Sequence, residues 1–271
     1  VRLVATALLW LVATAALAVA VPAVWAQRHL VDTDGYGTLA AQAAQDPDLQ
    51  AAVAAQLTTQ AMRLPESDGA DSLQVHDVAV AYTAGPEFPT QFARVNRAAH
   101  RWLFTGAGQG EDLRLDVAPM LEDSAFRPFL DEVPATVTVP VTATPDAVQS
   151  GQLRALRVWG PAVSIGASLL AALAALGVVV LARRRGSALA WLGVSALLVG
   201  ASGWAGIEVG RGRLDEALNS TAGDIRRIAE IMVDHAIGSL HHWLNLTLAG
   251  GGILVAVGVL TGVLGGLRRS D

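Results

Sequence analysis

The chain of 271 residues has no cysteine, and all 19 of its basic residues are arginine, so it has no lysine either. The first absence excludes disulfides, thiolate nucleophiles and cysteine metal sites; the second excludes Schiff-base lysines and lysine general bases. A GC-rich genome accounts for arginine in place of lysine and for the load of Ala, Gly and Val. Charge is also absent from four apolar stretches, at residues 3–26, 158–182, 187–207 and 243–267, none of which holds an Asp, Glu, Arg or His. A helix needs about 20 apolar residues to cross a bilayer, and each stretch supplies them. The expected class is an integral membrane α-helical protein with four transmembrane helices.

The arginines set an expected orientation. Arg2, the run Arg183-Arg184-Arg185 and the pair Arg268-Arg269 fall at the N-terminus, between the second and third stretches, and after the fourth. In any four-span topology these places share one side, and an Arg excess in short loops marks the cytoplasmic side. Asp271 is the single acid there, so 23 of the 24 acidic residues are expected on the other side. Trp25, Trp159, Trp204 and Trp243 stand at the corresponding ends of the four spans, where indole rings anchor at the headgroup level. The sequence therefore predicts a plasma-membrane protein with both termini inside and its main domain extracytoplasmic. Val24-Trp25-Ala26 before Gln27 has the small residues of a cleavage site, but the apolar run exceeds the 7–15 residues typical of a signal-peptide core. Residues 1–26 read as an uncleaved signal anchor.

The resulting domain plan is a first span (1–26), an extracytoplasmic domain (27–157), a second span (158–182), a cytoplasmic loop (183–186), a third span (187–207), an outer amphipathic segment (208–242), a fourth span (243–267) and a tail (268–271). Residues 27–157 carry 9 Arg against 17 acids, a balance of −8. Nucleic acid and anionic headgroups both require a basic face, so neither is an expected partner of this domain.

A mixed α+β fold with helix in excess is predicted for it. Asp46-Pro47 caps a helix that carries Leu49, Val53, Leu57 and Met62. The β-branched, partly alternating run Val75-His76-Asp77-Val78-Ala79-Val80-Ala81-Tyr82 reads as a strand. After Gly85-Pro86 a second helix shows Phe92, Val95, Ala99 and Trp102 on one face and Arg94, Arg97 and Arg101 on another. Strands are expected near residues 113–117 and 135–141, with a helix at 120–130 between them.

The outer segment reads as an amphipathic helical hairpin. Leu214, Leu218, Thr221, Ile225, Ile228, Met232, Ala236 and Leu240 recur every three or four residues, and Thr221 with Asp224 makes a capping box that places a break near Gly223. Such a stripe must be buried, and packing against the extracytoplasmic domain is the expectation. Ile225, Ile228 and Met232 are the candidate positions for a partner or ligand within it.

Candidate chemistry is sparse. Asp32-Thr33-Asp34-Gly35 begins like a calcium loop, but the fifth and twelfth positions are Tyr36 and Ala43, so a turn into a helix capped near Thr38 fits better. Glu230, Asp234, His235, His241 and His242 cluster in sequence. On one helix His235 and His242 are about 10 Å apart along the axis, too far to share an ion, and no metal is predicted. Gly106, Gly108 and Gly110 make a turn and not a phosphate loop, because no Gly-Lys-Ser follows. Two glycosylation-type sequons, at Asn219 and Asn245, are short enough to arise by chance. His100, with Asn96 a turn earlier and Arg97 beside it, has the elements of a general base; a buried histidine satisfied by its neighbours is the expected state. No hydrolase elbow or zinc-protease motif occurs, so no enzymatic activity and no cofactor are predicted. Gly258, Gly262 and Gly266, and Gly206 with Gly210, repeat every four residues, the spacing that lets helix backbones approach closely in lipid. The charge-free spans argue against an ion-coupled pump, which places titratable groups on its path.

The segment Val95-Asn96-Arg97-Ala98-Ala99-His100, then Leu113-Arg114-Leu115-Asp116 with Pro119, Pro134 before a β-like run, and the Arg183–Arg185 loop resembles a family of uncharacterised actinobacterial integral membrane proteins. In these one anchor helix precedes an extracytoplasmic domain and further spans follow. The resemblance implies a high-GC Gram-positive envelope and brings no activity with it. It marks Asn96, Arg97, His100 and Asp116 as positions of interest. The function expected from all this is a non-enzymatic accessory or scaffolding subunit of a cell-envelope complex, with the bilayer and other integral membrane proteins as partners. The alternative is an extracytoplasmic lipid or small-molecule binding or sensing protein.

Overall fold

The computed structural model describes residues 2–64, 71–105, 114–130, 133–134, 136–140, 151–218 and 223–267. In chain order the elements are α1 (Arg2–Ala26), a π-helical turn (Gln27–Val31), α2 (Thr33–Ala43), α3 (Pro47–Ala61), α4 (Ser72–Thr83), α5 (Phe88–Thr105), β1 (Arg114–Asp116), α6 (Ala118–Leu121), β2 (Thr138–Pro140), α7 (Arg154–Leu181), α8 (Arg185–Leu218) and α9 (Gly223–Leu267). Four helices are long and apolar enough to cross a membrane: Arg2–Val31, Arg154–Leu181, Arg185–Gly212 and Gly223–Val263. The chain divides into a span unit (Val1–Gln27, Val158–Gly212, Ile237–Asp271) and a polar unit (Arg28–Arg157, Arg213–Ala236).

In the span unit, α8 and α9 meet backbone to backbone. A Cβ on Gly193 would lie 2.6 Å from the Gly251 carbonyl oxygen, and one on Gly258 would lie 2.6 Å from that of Gly186. Glycine is required at these contacts because any side chain would push the helices apart. Of the four-residue repeats, Gly258 serves this seam, whereas Gly206, Gly210 and Gly262 face open space; the surroundings of Gly266 lie outside the described residues. Helix α1 is tied to α8 by a 2.7 Å bond between the Thr14 and Ser195 hydroxyls and by the Trp10 indole N–H, which donates to the Trp191 carbonyl at 2.9 Å. Trp25 does not face outward as a headgroup anchor. It is buried, and its indole N–H donates to the Ser239 hydroxyl at 3.2 Å. Trp159 does stand exposed.

Among the described residues the polar unit is mainly helix. Three aspartates start three helices: Asp32 accepts from the Gly35 N–H, Asp46 from Asp48 and Asp71 from Leu73. Asp46 and Pro47 act as the sequence predicts. Asp32, by contrast, is itself the cap, so α2 begins well before Thr38, whose hydroxyl lies inside the helix and donates back to the Asp34 carbonyl. The stretch Val75–Tyr82 is not a strand but the body of α4. Val75, Ala79, Tyr82 and Thr83 are buried at helical spacing while Val80 is exposed, so burial every three to four residues overrides β-branched composition. The helix expected at 120–130 lasts only from Ala118 to Leu121. Turns follow, begun by the Asp123 carboxylate accepting from the Ala125 N–H, and Pro128 supplies no donor for a continuing helix. Among the described residues the strands are β1 and β2, antiparallel with Leu115 opposite Val139. Among the described residues this short ribbon is all the strand there is, so the expected mixed α+β domain is shown only in its helical part.

The core of the polar unit is centred on Leu49, Leu57, Val75, Phe88, Met120, Leu121 and Phe126. The amphipathic segment is helical on both sides of residues 219–222, and its two halves continue α8 and α9. Thr221 and its capping box lie outside the described residues. At Gly223 the backbone is left-handed (φ +71°), a conformation glycine adopts without penalty, and α9 begins there. Ile231 is buried in the core, with Ile225, Ile228 and Met232 packed on it. Arg227 also pairs with Asp48 at 2.8 Å, an exposed ion pair worth little by itself. Burial of this stripe leads to a test. Truncating Ile231 to Ala should cost the polar unit about 2–5 kcal/mol, read as faster cleavage in pulse proteolysis of the full chain in liposomes. Unchanged protection would mean that the stripe contributes nothing to the core.

Candidate functional site

Two places combine burial with unusual chemistry, one in each unit. The first lies where α5 meets α2. Arg94 and Arg101 on α5 are exposed, but Arg97 between them is half-buried, its guanidinium resting on Gly37. A Cβ at Gly37 would fall 2.5 Å from the Arg97 Nε and 2.6 Å from its Cζ, so this contact exists because residue 37 has no side chain. The adjacent Tyr36 hydroxyl points at the Asn96 Oδ1, 3.5 Å away, and the Asn96 amide donates to the Phe92 carbonyl. The Tyr36 ring centre is 5.0 Å from that of His100, which stacks on Phe104 at 4.3 Å.

His100 is 3% exposed, and its Nε2–H donates to the Leu30 carbonyl oxygen at 2.9 Å. Leu30 belongs to the π-helical turn that ends α1, where the normal helical hydrogen-bond ladder is interrupted. The Nδ1 of His100 and the Nε of Arg97 are buried without a hydrogen-bond partner. Burial holds the imidazole pKa below its ordinary 6.5. The Leu30 and Val31 carbonyls raise it, the Arg157 charge lowers it, and Asp32 raises it, but burial prevails. Burial also raises the Tyr36 phenol above its ordinary 10.0. Both groups are therefore neutral at pH 7. With Nε2 bonded to the Leu30 carbonyl and Nδ1 buried against neighbouring rings, His100 links α5 to the π-helical turn.

The structure thus brings Asn96, Arg97 and His100 together with Tyr36 and Gly37. Asp116 does other work. Its Oδ1 accepts from the N–H groups of Ala118 and Val137, each at 3.0 Å, and so joins β1 to the start of α6 and to β2. Ile225, Ile228 and Met232 are core-packing side chains of the polar unit. Among the described residues no three His, Asp or Glu side chains gather as a metal site. His235 bonds the Ile231 carbonyl, whereas His241 stacks on Trp204 with ring centres 3.8 Å apart. The glycines at 106, 108 and 110 and the Asn219 sequon lie outside the described residues, as do Arg268, Arg269 and Asp271.

The second place is a partly open cavity of about 730 Å³ within the span unit, bordered by all four long helices. Its wall is almost entirely apolar and built mainly of small residues: Ala13 and Ala20 on α1, Ala172 and Ala175 on α7, Ala196 on α8, Gly250 and Gly251 on α9. The hydroxyls on its wall are already bonded. Ser168 donates to the Ser164 carbonyl, Thr247 to the Trp243 carbonyl, and Ser195 is paired with Thr14. The wall hydroxyls therefore have their donors engaged, and the wall favours an apolar occupant. Sequence reasoning did not anticipate this cavity; the available signal was the pair of hydroxyl residues, Thr14 and Ser195, inside otherwise apolar spans.

Comparison with known protein families, with curated proteins and with solved structures gave no match.

His100 generates a prediction. Because its folded pKa lies below 6.5, the unfolded chain binds the proton first as pH falls. The stability present above pH 6.5 should therefore decline as pH drops from there toward the lowered folded pKa. Thermal unfolding of the full chain followed from about pH 7 to about pH 5 should show this loss, and His100→Gln should flatten its slope. An equal slope in both proteins would remove His100 from the account.

Proposed function

We propose that this chain is a non-enzymatic membrane protein that holds an apolar ligand taken from the bilayer among its spans. The observation that carries the proposal is the cavity of about 730 Å³. It falls within the size range of small-molecule sites, and the donors of its wall hydroxyls are engaged by the protein itself. The likeness of the Val95–His100 and Leu113–Asp116 segments to actinobacterial membrane proteins favours a high-GC Gram-positive envelope as the setting.

A second function, that of an accessory or scaffolding subunit, is favoured by a different observation. Gly206 and Gly210, four apart on α8, have nothing within 4 Å of where a Cβ would lie, which leaves a small-residue face open to another helix. Purification of the tagged full chain in a mild detergent distinguishes the two. An apolar molecule retained in fixed proportion to the protein supports ligand binding. Stoichiometric protein partners, lost on Gly206→Leu with Gly210→Leu, support the subunit function instead.

The orientation inferred from the arginines puts both termini in the cytoplasm and the polar unit outside. The cysteine-free sequence is a clean background for single-cysteine labelling. Ser72→Cys should react with an impermeant maleimide in intact cells, and Ser187→Cys should react only after lysis. Labelling of the two in the reverse order would invert the topology.

A further inference from the structure

Resting on the ligand-binding proposal, we infer that the occupant of the cavity is a membrane phospholipid, bound by its hydrocarbon chains in the leaflet on the Trp243 side. The dimensions point to it. Along α1 the wall runs from Ala13 to Val24, and along α9 from Trp243 to Leu254. At 1.5 Å per residue each of these stretches is about 16 Å long. The hydrocarbon core of a bilayer is about 30 Å thick, so one leaflet is about 15 Å deep. Val24 and Trp243 stand at one end of the charge-free stretches 3–26 and 243–267, and Ala13 and Leu254 stand near the middle of those stretches. Along these two helices the cavity therefore covers the depth of a single leaflet, starting from the headgroup end.

The chemistry of the wall selects among apolar molecules of that length. A quinone brings ring carbonyls that need donors, and the wall hydroxyls of Ser168, Ser195 and Thr247 are already engaged. A phospholipid keeps every polar atom in its headgroup, beyond the Trp243 end, and presents only methylene groups to the alanines and glycines. The cavity is partly open, so chains enter sideways from the surrounding leaflet without the headgroup crossing apolar wall.

Two glycines on α9 give a controlled test. Gly250 lines the cavity, and a Cβ there would meet nothing within 4 Å, so a larger side chain fills the cavity without first displacing a neighbour. Gly252 is equally open but does not line it. The full chain, purified and delipidated in mild detergent, is titrated with phosphatidylglycerol or with an isoprenoid quinone and read by native mass spectrometry. One phospholipid should bind per chain in the unaltered protein and in Gly252→Phe. Gly250→Phe should reduce that adduct by at least about tenfold, because the new ring takes the space of the chains. Ala175→Leu, a smaller filling change at the same cavity, should reduce it too and stands in if Gly250→Phe lowers the unfolding temperature. A quinone adduct in place of phospholipid, sensitive to position 250, would overturn the phospholipid assignment and leave the ligand-binding proposal intact. Absence of any adduct, or an adduct insensitive to both filling variants while they remain folded, would overturn both.

Discussion

Close contact between α8 and α9 at Gly186/Gly258 and Gly193/Gly251 is the constraint on which the span unit depends. In lipid there is no hydrophobic gain from pairing two apolar helices, so association relies on dispersion contacts and on hydrogen bonds between helices. Backbone approach at glycine maximises the first of these. The Thr14–Ser195 hydroxyl pair and the Trp10–Trp191 bond supply the second for α1. Gly177 adds a looser seam of α7 with α1, where a Cβ would lie 3.1 Å from Leu9. With α8 and α9 held at backbone distance and alanine among the residues of the other walls, the helices leave space between them, and that space is the cavity. It is a consequence of side-chain size: alanine and glycine on all four walls do not fill the volume that four helices enclose.

The polar unit is held together differently, and without a disulfide. Aspartate caps at residues 32, 46 and 71 begin three of its helices, and the side chains behind them converge on one aromatic and aliphatic core. Tyr82, Phe88 and Phe126 meet edge to face there, with ring centres 5.6 to 5.9 Å apart. The π-helical turn after α1 is fixed to this assembly by His100. His100 thereby fastens the turn to α5 through its Nε2–H, and the neutral imidazole is the form that fits.

The four spans were legible because freedom from charge over 20 or more residues has almost no other cause. Asp46-Pro47 was legible because cap and proline are adjacent. Val75–Tyr82 was misread since β-branched residues dominate the composition there, whereas burial follows Val75, Ala79 and Tyr82. Asn96, Arg97 and His100 could be seen as one helix face, but the residues they meet, Tyr36 and Gly37, lie 60 positions away and no local pattern announces them. Trp25 was taken for an interfacial anchor because its position at a span end is visible in sequence while the Ser239 hydroxyl across from it is not. The cavity was hidden for the same reason. Alanine and glycine look alike whether they press against a neighbour, as Gly193 does, or face a void, as Gly250 does.

The π-helical turn has one more consequence. A turn closed by i→i+5 bonds contains an extra residue compared with the α-helix on either side. That residue decides which carbonyl, that of Leu30, is presented to His100. Gly35 sits directly against the Arg28 carbonyl, so the chain on the far side of the turn has no slack to absorb a change. Gain or loss of a single residue between Arg28 and Leu30 would turn the Leu30 carbonyl by roughly 100° about the axis of the turn, away from His100. Whereas surface connections in a protein of this kind can drift in length, this short joint is held to a fixed residue count.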